Sequence, residues 1–163
     1  MRPYLFFILR WITPLLLFMI GPVVSSNAAA SVIEGQWTFV DDGTVIDVTA
    51  CPTRDASLCA AIVRLPSSAQ GLAPGERTLL CRTHLLGDLK SQGARNASKP
   101  TYRGWIIDPE DLLKGGSPTR YDATLTVTSP TRAVIEVRIV DGLYPERHAL
   151  IRNALPVHSC GVR

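Results

Sequence analysis

The side chains best equipped for chemistry are four cysteines, three histidines and one short acidic run. Cys81 and His84 lie one helical turn apart in sequence, a spacing that fits a nucleophile and its base. Asp108, Glu110 and Asp111 offer the hard oxygen ligands that calcium takes, but without EF-hand spacing. Asp-Pro-Glu-Asp is also ordinary turn and helix-start chemistry. No Gly-x-Ser-x-Gly elbow occurs, and Gly115-Gly116 runs into Ser117-Pro118 rather than a phosphate-cradling loop. No Cys-x-x-Cys pair exists, and His84, His148 and His158 show no zinc-ligand spacing. The sequence therefore assigns no catalytic residue, no metal and no cofactor.

The compartment decides what the cysteines do. The chain opens "MRPYLFFILR", continues with the apolar run Trp11 to Val24, and then reads "SSNAAA". Positive start, greasy middle and small residues are the order of a secretory signal. The apolar run has 14 residues, whereas a spanning helix needs roughly 20. Residues 1–30 are read as a signal peptide cleaved after Ala28 or Ala30, with no stable membrane span afterwards. Residues 31–163 are then one exported domain, secreted into a periplasm.

In an oxidising compartment an even cysteine count points to disulfides rather than a Cys81 nucleophile. Four cysteines allow three pairings. Cys51–Cys59 with Cys81–Cys160 is favoured. The first closes a short loop between two strands, and the second ties the C-terminal tail to the body. The Asn96-Ala97-Ser98 sequon carries little weight, because nothing in the sequence establishes a eukaryotic secretory route.

Export also changes the charge. The 17 basic residues include Arg2 and Arg10, so 15 remain against 14 acidic ones. That near-neutral balance gives no electrostatic case for nucleic acid or an anionic membrane. The basic residues that thicken the stretch from Arg64 to Arg103 are read as solvated loops.

What must position any site is a set of strands. "GQWTFV" runs into Asp41-Asp42-Gly43, a hairpin signal, and "TVIDVTA" follows. "LCAAIVRL" is apolar on both sides. Residues 66–77 are rich in Pro, Ser and Gly and read as a loop; "TLLCRTHLLGDLK" fits a strand ending near Gly87 or a short helix. "TYRGWIID" is stopped by Pro109, and "PEDLLKGGSPT" holds a turn with one helical turn. In "YDATLTVT", Tyr121, Ala123, Leu125 and Val127 share a face, as do Ala133, Ile135, Val137 and Ile139 in "RAVIEVRIV". Asp141-Gly142 opens a turn and "RHALIRN" is the last strand. About eight one-sided strands with short connections predict an all-β fold, an up-and-down antiparallel barrel, with a β-sandwich as the alternative.

The segments "GQWTFVDDG", "LCAAIVRL", "LLGDL" and "YRGWIIDPED", spread over most of the mature chain, resemble the exported bacterial family called domain of unknown function 2147. The most specific is "YRGWIIDPED": an aromatic, a glycine, a hydrophobic pair, Asp-Pro and an acid. The chain departs from the family pattern at Ala60, where glycine is typical. It departs again in "ALIRN", which lacks the tryptophan that usually precedes the final arginine, and in a longer stretch between Glu110 and Tyr121.

The resemblance implies a lipocalin-like barrel and an envelope location, and no reaction. In such barrels a Gly-x-Trp on the first strand packs at the closed end beneath an arginine of the last strand; Gly35, Trp37 and Arg152 stand in the matching places. A guanidinium lying on that indole would contribute ~0.5–2 kcal/mol.

Candidate lumen residues are Phe39, Ile46 and Val48 on the early strands and Leu125, Val127, Ile135 and Val137 on the later ones, with Ile139 beyond. Phe39, two residues along from Trp37 on the same face, is the better candidate to meet a ligand. The leading expectation is a non-catalytic protein binding a lipophilic small molecule in the bacterial cell envelope. The alternative is a protein–protein interaction module with a solid core, an envelope inhibitor or assembly factor of unknown partner. A hydrolase with an unrecognised site ranks last.

Overall fold

The computed structural model describes residues 31–52, 56–81, 83–93, 98–139, 145–157 and 160. The signal-peptide reading, Asn96 of the sequon, the Asp141-Gly142 turn and His158 lie outside them.

Eight strands close an antiparallel barrel in which each strand pairs with its neighbours in sequence and β1 pairs with β8. The strands are β1 (Gly35–Phe39), β2 (Val45–Ala50), β3 (Leu58–Arg64), β4 (His84–Gln92), β5 (Thr101–Ile107), β6 (Arg120–Ser129), β7 (Arg132–Arg138) and β8 (Glu146–Arg152). Two short helices, α1 (Pro74–Leu80) and α2 (Pro109–Leu113), sit in the β3–β4 and β5–β6 connections. The architecture is the lipocalin-like up-and-down barrel, and the sandwich alternative falls with the β1–β8 closure, which leaves no sheet edge.

Local chemistry explains the elements. After β1, the Asp42 carboxylate accepts from the Thr44 backbone N–H at 2.8 Å and from its hydroxyl at 2.7 Å. Gly43 takes φ +79°, a conformation that favours glycine. This sets the β1–β2 register with Trp37 opposite Ile46. On β6, Ala123, Leu125 and Val127 are buried, Tyr121 is half-buried, and the alternate residues face outward. On β7, Ala133, Ile135 and Val137 are buried.

Three sequence expectations are corrected. The loop reading of 66–77 gives way to a single 3-10 turn at Ser67–Gly71 and the start of α1. Pro74 opens α1 where its missing N–H costs nothing, and the Glu76 carboxylate accepts from the Ala73 backbone N–H at 2.7 Å. "TLLCRTHLLGDLK" is both a helix end and a strand, and the strand does not stop near Gly87: β4 begins at His84 and runs on to Gln92. Ile139 is not part of β7, which ends at Arg138, and it is 38% exposed.

Both disulfides form as expected, Cys51–Cys59 and Cys81–Cys160. The first joins the ends of β2 and β3. The second holds the C-terminal tail against the barrel wall, where the Cys160 N–H donates to the Val63 carbonyl at 2.8 Å. On the way, the Val157 N–H donates to the Gln36 side-chain oxygen at 2.6 Å, so the outward-facing Gln36 is buried. The outer residues of β3, Cys59, Ala61 and Val63, are half-buried rather than exposed; Cys59 is bonded to Cys51, and the tail docks at Val63.

Candidate functional site

One end of the barrel is sealed and the other is hollow. At the sealed end Trp37 is fully buried and its indole N–H donates to the Ile33 carbonyl at 2.7 Å. The Arg152 guanidinium lies 4.3 Å from the ring centroid, on the residue that pairs with Trp37 across β1 and β8. Its N–H groups donate to the carbonyls of Glu34 at 2.7 Å, Pro130 at 2.9 Å and Val32. Burial lowers the Arg152 pKa from the ordinary arginine value. Gly35 at φ +107° lets the backbone pass under the guanidinium; a Cβ there would lie 3.3 Å from Nη1. Gly35, Trp37 and Arg152 thus form the closed-end plug.

At the other end lies a chamber of about 630 Å³. Its apolar wall includes Phe39, Ile62, Leu85, Ile106 and Val137 from the strands. Leu80 of α1 and Leu113 of α2 close over it, and these two helices touch each other. The chamber sits where the long β3–β4 and β5–β6 connections fold back over the strand ends. An eight-stranded barrel has room either for side chains or for one small ligand, and this one is divided between the two.

Of the candidate lumen residues, Phe39 and Val137 line the chamber, and Ile139 stands at its mouth. Ile46, Val48, Leu125 and Ile135 are fully buried and Val127 is 3% exposed; these five fill the packed half instead. The reason is depth. They lie toward the sealed end, where inward side chains of neighbouring strands pack side by side, for example Leu125 beside Ile135.

The polar residues in its lining are five acids, one histidine and the hydroxyl residues Thr44, Ser68 and Tyr121. Asp41 and Asp42 come from the β1–β2 turn, Asp108 and Glu110 from the start of α2, and Glu146 and His148 from β8. His148 Nδ1 lies 2.9 Å from an Asp41 oxygen, and its ring stands edge-on to Phe39 with centroids 6.0 Å apart. Its Nε2 is 3.9 Å from Glu146. No hydroxyl hydrogen-bonds to His148 among the described residues, although Thr44, Ser68 and Tyr121 line the same chamber.

The other chemical candidates resolve locally. Cys81 is bonded to Cys160 and offers no thiolate, and His84 is exposed at the start of β4. Asp108 caps α2, accepting from the Glu110 N–H at 2.8 Å. Asp111 accepts from the Thr119 N–H at 3.1 Å and pairs with Lys114 at 3.7 Å; the Thr119 backbone hydrogen bond lowers its pKa most. Among the described residues no group of three or more metal-ligating side chains gathers.

Sequence reasoning passed over Trp105. Its ring lies flat across Gly87, its register partner on β4, where any Cβ would overlap the indole. The indole N–H donates to Asp88 at 3.1 Å, and the Arg120 guanidinium lies 4.4 Å from the ring. Asp88 holds φ +50° to make this contact. The signal was present in "LLGDL" and "YRGWIID", whose glycines leave room for the ring. Gly104 likewise packs against the Gly87 carbonyl.

No helix among the described residues is long and apolar enough to cross a membrane. Comparisons with protein-family models, curated proteins and solved structures find no significant match to the chain.

Proposed function

We propose that this chain is a non-catalytic exported protein of the bacterial cell envelope that holds a small apolar or amphipathic molecule in the open end of its barrel. The observation that carries the reading is the chamber of about 630 Å³, within the range of known small-molecule sites and walled by aliphatic and aromatic side chains. Two features support a soluble carrier rather than a solid module. The chamber is roofed by α1 and α2, and that roof is pinned through Cys81 to the tail. The export part rests on the signal-like first thirty residues and on the two disulfides, which belong to an oxidising compartment.

Purification without detergent, followed by organic extraction and mass spectrometry, tests this. The expected result is one co-purifying lipophilic species, and uptake of an uncharged lipophilic fluorophore by the stripped protein. Ile139→Trp, which fills the chamber mouth from a partly exposed position, is expected to abolish uptake. Nothing extracted and no uptake would overturn the reading.

A second reading, a protein-binding module, draws on the outer wall. Val40 and Ile151 are 53% and 47% exposed where β1 meets β8. Recovery of a stoichiometric protein partner from periplasmic extract, lost with Ile151→Lys, would favour it.

A further inference from the structure

The walls of the chamber specify the head group of its ligand. Among the described residues, five acidic residues line it, Asp41, Asp42, Asp108, Glu110 and Glu146, and no lysine or arginine does. The one basic side chain there, His148, is already engaged by Asp41.

Four cations on elements at this end of the barrel are engaged by other groups. Arg120 stacks on Trp105, Arg147 pairs with Glu136 at 2.8 Å, and Lys114 pairs with Asp111. Arg64 donates to the Gly43 carbonyl at 3.3 Å. An anionic amphiphile such as a fatty acid would therefore place its head group among like charges, a repulsive arrangement that works against it.

Two of the carboxylates are occupied by local structure. Asp42 holds the β1–β2 turn and Asp108 caps α2. Glu110, on α2, and Glu146, on β8, are exposed residues of the lining. Glu110 makes no ion pair among the described residues, and Glu146 reaches only His148, at 3.9 Å. Both are therefore placed to receive a cation.

We propose that the chamber selects a cationic amphiphile: an apolar body inside, and a protonated amine at the rim against Glu110 and Glu146. The inference rests on the reading of the chamber as a ligand site. The chamber supplies the binding, and the rim supplies the preference among head groups.

Calorimetric titration of the purified protein with decylamine, 1-decanol and decanoate, each below its micelle concentration at neutral pH and low salt, tests it. Decylammonium is expected to bind about tenfold or more tighter than decanoate, with decanol between, and added salt should narrow the gap. Glu110→Gln with Glu146→Gln, two exposed positions, should shrink that gap while leaving decanol affinity unchanged. Ile139→Trp should abolish binding of all three, separating the chamber from amine adsorbed on the acidic surface. Equal affinities, tighter decanoate, or decylamine binding that survives Ile139→Trp would overturn the head-group inference and leave the chamber reading standing. Failure of all three probes to bind would overturn both.

Discussion

At the scale of single residues, the sealed end depends on one guanidinium serving several groups at once. Arg152 covers the Trp37 ring and satisfies the carbonyls of Glu34, Pro130 and Val32. Arg152→Ala removes the ring contact, worth ~0.5–2 kcal/mol, and leaves three carbonyls to find water. The expected loss is about 2–4 kcal/mol in urea unfolding. Arg152→Lys should recover less than half of it, because an ammonium lacks the planar fork that stacks and donates together. Gly35→Ala should cost about 1 kcal/mol or more, since φ +107° suits glycine and the new methyl would crowd Nη1. Full recovery by lysine would show that charge alone, not stacking geometry, holds the plug. This part of the molecule was legible through the resemblance to lipocalin-like barrels, in which a Gly-x-Trp opens the first strand and an arginine closes the last. Trp105 was harder to see. Its role depends on Gly87 and Asp88, far away in sequence, and only the β4–β5 register brings them together.

At the scale of elements, alternation made the strands readable and "PEDLL" marked the helical turn of α2, but α1 was not readable. A helix as short as α1 has no apolar periodicity to detect; its N-terminal proline and Glu76 are the only local signals. What fixes it is long-range, the bond from Cys81 to Cys160. That bridge closes a loop of 79 residues and Cys51–Cys59 a loop of 8. In the chain-entropy model, replacing the pairs with serine should cost about 4 and about 2 kcal/mol respectively. Calorimetric melting of the two double variants checks the order. A reversed order would mean that native contacts, not loop closure, set the difference. The other half of the roof carries a pH signature. The folded pKa of Asp111 is lowered, chiefly by the Thr119 backbone N–H. Its stabilising contribution is therefore present above the unfolded carboxylate pKa, about 4, and is lost as pH falls through the folded value. Asp111→Asn should lower stability at neutral pH and flatten the acid limb of the stability curve; an unchanged acid limb would show that the hydrogen bond is not kept in solution.

At the scale of the whole molecule, the barrel joins a packed half to a hollow half, and the sequence does not mark the border between them. Leu125, Ile135 and Val137 obey the same inward alternation, yet only Val137 meets the chamber. Alternation reports which face a residue takes, while depth along the axis depends on strand stagger and on how the connections fold back. The division makes stability and binding separable. Leu125→Ala opens a cavity in the packed half and should cost about 2–5 kcal/mol. The affinity of the folded fraction for decanol should stay within about twofold, because no chamber wall moves if the core relaxes only partly. Ile139→Trp should do the reverse: it lies outside the strands and partly in solvent, so stability should change by less than about 1 kcal/mol, while decanol binding is lost. Unfolding curves and titrations on the same two variants decide the matter. If Leu125→Ala weakened binding as much as it weakened folding, the two halves would be one cooperative cavity, and the head-group preference would have to be sought in the barrel wall as well as at its rim.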